Sequence, residues 1–224
     1  SIYSLVASFP FPIILALLLN DLYNPKLKRT VEMITYATHF ISTVVMAGMI
    51  LQFLSLKYGI VNKALQFINI EPRNFIGIPE YFSSIYVWSG IWQNTGWNAI
   101  IYLAALSSVD QTLYEAATID GATKFQKTIH INLPAILPTI IILLILNTGR
   151  IMDVGFEKVL LLQNDLNIRA SETIQTYVYK IGLTSKLPNF SYATAIGLFN
   201  SIVNFTLIII VNAISKKVSE TSLW

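Results

Sequence analysis

YFSSIYVWSGIWQNTGWNAIIYLAALSSV (81–109), DQTLYEAATIDGATKFQK (110–127) and TIHINLPAILPTIIILLILNTG (128–149) follow one another without a gap. The outer two hold no Asp, Glu, Lys or Arg; the middle one carries Asp110, Glu115, Asp120, Lys124 and Lys127. A helix rising 1.5 Å per residue needs roughly 18–20 apolar residues to cross about 30 Å of hydrocarbon. Both outer runs reach that length, and the pattern repeats outward, because 1–20, 33–56 and 187–215 are also free of charge. Of the 224 residues, 54% are apolar and 12% charged, with a mean hydropathy of +0.59. A soluble domain carries about 45–50% and about 25%. The 15 Lys/Arg and 12 Asp/Glu are gathered between the runs. This spacing excludes a water-soluble enzyme and a nucleic-acid-binding domain, despite a pI near 9.0. It predicts an all-α polytopic membrane protein with five transmembrane helices.

The spans are expected at about 2–19, 33–56, 82–106, 135–154 and 190–214. Pro10 and Pro12 kink the first span or set its start. A polar hairpin, Asn20-Asp21 to Arg29-Thr30, leads to the second. Residues 57–80 and 155–187 form polar excursions, and IVNKALQFI in the former reads as a short interfacial helix. A tail, 215–224, closes the chain. With no repeat or low-complexity tract, residues 1–224 read as one membrane domain. The sequence opens at Ser1 inside an apolar run, without a basic n-region or a small-residue cleavage site. A signal peptide is therefore not expected, and a further N-terminal piece is.

Charge alone leaves the orientation open. One side would hold Lys26, Lys28, Arg29, Lys124, Lys127, Lys216 and Lys217. The other would hold Lys57, Lys63, Arg73, Arg150, Lys158, Arg169, Lys180 and Lys186 over longer loops. Only the tight juxtamembrane clusters, at 26–29 and 216–217, favour a cytoplasmic hairpin and tail.

The segment 107–134 has its own local grammar. SSVDQTLYEAATI begins with Ser and Asp, residues that cap helix N-termini, before a helix-forming run. Gly121 supplies a C-terminal stop or sharp turn. ATKFQKTIHI is a second amphipathic piece, with Phe125 and Ile129 on one side, and Leu133-Pro134 is expected to end it. The prediction is a surface helix–turn–helix with an acidic first arm and a basic second arm.

Glu-Ala-Ala, three residues, Gly-Ala, then Ile-x-Leu-Pro between two spans resembles the EAA loop of binding-protein-dependent ABC importer permeases, the MetI-like transmembrane domain. The family's loop docks its short helix into a groove of the ATPase subunit. Carried over, Glu115, Ala116, Ala117, Asp120, Gly121 and Ala122 match the first arm, and Leu133 and Pro134 the closing residues. One departure is Thr128, where many relatives hold a phenylalanine; Phe125, about a turn earlier, is the alternative aromatic contact. PFPIILALLLN, NTGRIMDVGFEKVLLLQN, SETIQTYVYKIGL and FSYATAIGLFNSIVNFTLIIIVNAISKK are similar to the carbohydrate branch. Within it they resemble permeases serving lipoprotein-tethered binding proteins for oligosaccharides. The resemblance implies six spans in the full chain, a bacterial plasma-membrane location and a cytoplasmic 107–134 loop. It also implies a second permease subunit, two ATPase subunits that bind ATP and Mg, and an extracellular solute-binding lipoprotein. No cofactor is expected in this chain.

No Gly-x-x-x-x-Gly-Lys-Ser/Thr, His-Glu-x-x-His or Gly-x-Ser-x-Gly occurs, so neither a P-loop nor a protease or hydrolase motif is present. Without cysteine there is no disulfide or thiolate chemistry. His39 and His130 stand far apart in sequence, and His39 reads as a packed, hydrogen-bonded residue. Candidates for a sugar path are the polar and aromatic residues within spans: Trp88, Trp92, Asn94 and Trp97 (with Asn98) in the third, and Tyr192, Asn200 and Asn204 in the fifth. In the fourth, Asn147, Arg150 and Asp153 would form one stripe at i, i+3 spacing. Interfacial tryptophans, a structural ion pair and interhelical asparagine glue are the competing readings. Amino-acid, peptide or phosphate cargo is the alternative within importers. A secondary transporter is the alternative class, and the absence of an internal repeat disfavours it.

Overall fold

A computed structural model describes residues 1–219, and among them every regular element is helical. Three helices are long and apolar enough to cross a membrane: Ile2–Asn20 with hydropathy 2.2, Lys124–Thr148 with 2.3 and Phe190–Lys216 with 2.0. The bent pair Pro25–Phe40 and Thr43–Phe53 would make a fourth. Pro79–Ser107 is long enough, with 29 residues, about 43 Å at 1.5 Å per residue. Its Trp, Tyr, Gln and Asn content makes it less apolar than the other three.

Pro10 sets the start of helix Pro10–Asn20 behind Ile2–Ser8, as expected, and the two run on as one span because Phe9 keeps helical angles and its N–H bonds to Leu5 O at 3.1 Å. Three expectations change. The hairpin shrinks to a turn, since helix Pro25–Ala37 starts as soon as Asn24 caps it. The second span is broken. Thr38–Phe40 tightens into a 3₁₀ turn, and Ser42 then leaves the helical region to cap Thr43–Phe53 through Val45 N–H. The fourth span is displaced toward its N-terminus. Thr128–Asn132 winds as a π turn in which Leu133 N–H reaches Thr128 O, and the chain enters Leu133–Thr148 with helical angles at Leu133. The wider turn shifts the bonding register ahead of Pro134, which has no N–H to donate, so Leu133-Pro134 continues the helix instead of ending it.

The described residues fall into two compact units. The first holds Ser1, 41–90 and 150–205. Its core is Met46, Ala47, Ile50, Phe82, Val159 and Leu162, which brings the short helix Phe156–Leu162 against Thr43–Phe53. Buried amides staple the connections. Asn62, 1% exposed, both donates to Arg73 O and accepts from Arg73 N. Asn167, fully buried, donates to Ile76 O and Leu162 O and accepts from Asn164 N and Ser171 Oγ.

The second unit holds 2–40, 91–149 and 206–219. Ala16, Ala99, Tyr102, Leu106 and Ile136 form its core. Lipid is as apolar as these side chains, so helix association there rests on close packing, which small residues permit. Gly96 shows the principle: a Cβ at this position would run into the Thr35 backbone. Gly149 likewise leaves room only for Ile208.

Candidate functional site

The loop expected from the sequence is built by caps. Asp110 accepts from Thr112 N at 2.9 Å and starts helix Gln111–Ile119. That hydrogen bond holds the Asp110 carboxyl below the usual carboxylate range. At the other end Ala122 N bonds to Ala117 O and Gly121 N to Thr118 O, the paired bonds of a Schellman stop. Gly121 sits at φ +74°, where a Cβ would have open space but a strained backbone. Its requirement is conformational rather than steric. Thr123 and Gln126 then close a reciprocal capping box, and the second arm begins at Lys124.

Three apolar side chains of this loop stand open among its exposed polar residues: Ile119 is 87% exposed, Phe125 74% and Leu113 52%. Inward, Tyr114 donates to Asn132 Oδ1 and ties the first arm to the π turn. Lys127 Nζ donates to Thr118 Oγ1 at 2.7 Å and joins the two arms. Thr128 Oγ1 donates to Asp21 Oδ2 at 3.0 Å, and the Lys124 ammonium lies 4.3 Å from the centre of the Tyr23 ring. Asp21 and Tyr23 escaped the sequence reading, because their partners lie more than a hundred residues away and no local spacing links them. Glu115, Ala116, Asp120 and Leu133 are exposed, Ala117 and Ala122 are half-buried, and Pro134 lies one residue inside the following helix.

The candidate path residues do not form one group. His39 Nδ1 is 3.0 Å from Asn94 Oδ1, and the imidazole stacks on Trp97 at 4.5 Å and 4°. Phe40 meets the same indole edge-on at 5.6 Å. His39 is thus packed and hydrogen-bonded, as its sequence setting suggested. Trp88 and Trp92 are half-exposed. Asn147 lines a cavity of about 150 Å³ with Ser8, Asn98, Tyr102 and Leu143.

The stripe through Asn147, Arg150 and Asp153 is not formed. The helix stops at Thr148 with Gly149 as its cap, so the later two residues leave its spacing. Asp153 instead receives Asn200 Nδ2 at 3.1 Å, Asn204 Nδ2 at 3.2 Å and Gln175 Nε2 at 2.9 Å. Asn200 and Asn204 are 8% and 9% exposed, and their i, i+4 spacing presents both amides to one carboxylate. Arg150 is exposed; Tyr192 is half-exposed near the start of its helix, where its N–H bonds to Asn189 Oδ1. Nearby in the same unit, Lys158 is 7% exposed, donates to Tyr86 O at 3.0 Å and lies 4.8 Å from the Tyr86 ring. Burial pushes its ammonium down to about 8.

Residues 8–220 match the family described as the binding-protein-dependent transport system inner membrane component. The chain belongs to this family. Protein LplB of Bacillus subtilis (strain 168) is 41% identical over 220 residues, covering 98% of this chain and 69% of LplB. The polygalacturonan/rhamnogalacturonan transport system permease YteP of the same organism is 40% identical over 221 residues, 99% of this chain and 68% of YteP. A crystal structure of a bacterial alginate ABC transporter, in complex with an alginate pentasaccharide-bound periplasmic protein, superposes with a TM-score of 0.94. That match has 40% identity and covers 98% of this chain and 76% of the other. The chain is an all-α, multi-pass component of the inner membrane, as its charge spacing and EAA-like loop predicted.

Proposed function

We propose that this chain is a permease subunit of an ATP-driven importer that passes an oligosaccharide across the cell membrane. ATP is hydrolysed on two partner ATPase subunits with Mg, a second permease completes the path, and an extracellular binding lipoprotein delivers the cargo. The observation that carries the reading is the loop 107–134, a capped helix, a glycine stop and a second capped helix with Leu113, Ile119 and Phe125 turned outward. Caps and the glycine stop define the ends of the short helix, and exposed apolar side chains on it are suited to a groove on a partner. Closure of the ATPase pair displaces the loop, and the continuous helix Lys124–Thr148 carries that displacement into the membrane. ATP then favours the outward-facing population and hydrolysis the inward-facing one. Asn147, with Asn98, Tyr102 and Ser8 around its cavity, is the favoured cargo contact, since amides and an aromatic face suit sugar hydroxyls and C–H surfaces. The similarity to transporters of polygalacturonan and alginate favours acidic oligosaccharides over amino acids, peptides or phosphate.

Affinity purification from membranes, followed by uptake assays with labelled glycans, tests this. A co-purifying ATPase and second permease, with uptake of uronate-containing oligosaccharides, is the expected result. Purification without an ATPase, or uptake driven by an ion gradient alone, overturns it.

A further inference from the structure

The turn from Asp21 to Asn24 touches the loop's second arm at two independent points. Asp21 takes the Thr128 hydroxyl, and Tyr23 takes the Lys124 ammonium on its ring face. Lys124 and Thr128 are one helical turn apart, so both contacts fall on one face of that arm. The Lys124 carbonyl, at 3.1 Å, is the other acceptor within reach of Thr128, but a carboxylate is the stronger one. The turn itself is stiff. Asp21 N–H is bonded to Leu17 O at the end of helix Pro10–Asn20, and the Asn24 side chain caps Pro25–Ala37 through Lys26 and Leu27 N–H. A force on Asp21 or Tyr23 therefore reaches the ends of both helices. On the side of the first arm the turn is separated from Glu115 and Thr118 by a groove of about 440 Å³. The second arm is gripped while the first stands off.

The geometry points to this turn as a second output of the loop: Asp21 and Tyr23 are positioning residues that hand the loop's displacement to helices Pro10–Asn20 and Pro25–Ala37. The inference rests on the coupling role proposed for the loop. Apolar helix faces, such as those meeting at Ala16 and Ala99, allow sliding. A hydrogen bond and a ring-held cation pin the relative position and remove that freedom. The clasp stays closed through the cycle, so that loop and turn move as one body.

Residues 1–224 hold no cysteine, so within them a thiol test reads only the residues introduced. In the assembled transporter, reconstituted with cysteine-free partners, Asp21→Cys with Thr128→Cys removes the hydrogen bond. A short bifunctional methanethiosulfonate replaces it covalently. Unbridged, transport per ATP falls by at least about fivefold while basal hydrolysis stays within about twofold; bridging restores the ratio. Asp21→Asn, which keeps an acceptor, and Tyr23→Phe, which keeps a ring, retain coupling, whereas Tyr23→Ala loses it. Normal coupling in the unbridged pair, or transport blocked by the bridge, overturns the clasp. Gly121→Trp separates the two readings. If it uncouples while the unbridged pair does not, the clasp alone falls; if it too leaves stimulated hydrolysis normal, the coupling role of the loop falls.

Discussion

Two polar connections, 107–134 and 150–187, are held in opposite ways. The first takes its helical shape from its own neighbours in sequence, Asp110 on Thr112, Gly121 on Thr118 and Thr123 on Gln126, and its long-range ties to Asp21 and Tyr23 are confined to the second arm. Its apolar residues Ile119 and Phe125 face outward. The second is fastened by buried side chains to distant parts of its unit: Asn167 to Ile76, Asp153 to Asn200 and Asn204, Lys158 to Tyr86. A segment stabilised locally keeps its shape when it is moved, and so suits a lever. A segment stabilised by long-range bonds cannot move without breaking them, and so suits an anchored platform.

The contrast makes mutations fall in a definite order. Asn167→Leu leaves the buried carbonyls of Ile76 and Leu162 without this donor and is expected to cost about 3 kcal/mol or more. A marked loss of thermal stability in detergent should report it. Asp153→Ala leaves the amides of Asn200 and Asn204 without their carboxylate at about 1–3 kcal/mol, read in the same assay. Lys158 gives a pH signature. Its folded value of about 8 lies below the ordinary 10.5, so the unfolded chain binds more protons between them and stability rises with pH across that window. Lys158→Met should flatten the rise.

Asp110→Ala is the smallest, confined to faster amide exchange over 111–119 with no change in global melting. Its lowered carboxyl makes the cap's contribution full above the ordinary carboxylate range and lost as pH falls through the folded value. A loss of global stability from Asp110→Ala equal to that from Asn167→Leu would erase the distinction between lever and platform.

The same contrast explains what was legible in the sequence. Caps and stops act over two to five residues, so Asp110 and Gly121 show in the order of residues; the Thr123–Gln126 box is as local but went unread. Charge-free runs mark the helices for the same reason, since burial in lipid acts residue by residue. The break at Ser42 and the continuation through Leu133-Pro134 did not show. Each depends on a backbone hydrogen-bond register, a 3₁₀ turn in one case and a π turn in the other, that composition does not encode. Asp153 was placed on a stripe with Asn147 because helical spacing was extended past Gly149, and its true partners lie on another helix. Asp21 and Tyr23 were invisible for the same reason: the contact is made across the fold.

The lever assignment is tested most directly by cargo-stimulated ATP hydrolysis in the reconstituted complex carrying Glu115→Lys or Gly121→Trp. Both should leave the subunits at least partly assembled and abolish the stimulation, since one reverses a charge on helix Gln111–Ile119 and the other strains the φ +74° stop. Stimulation equal to that of the unaltered complex would contradict the assignment.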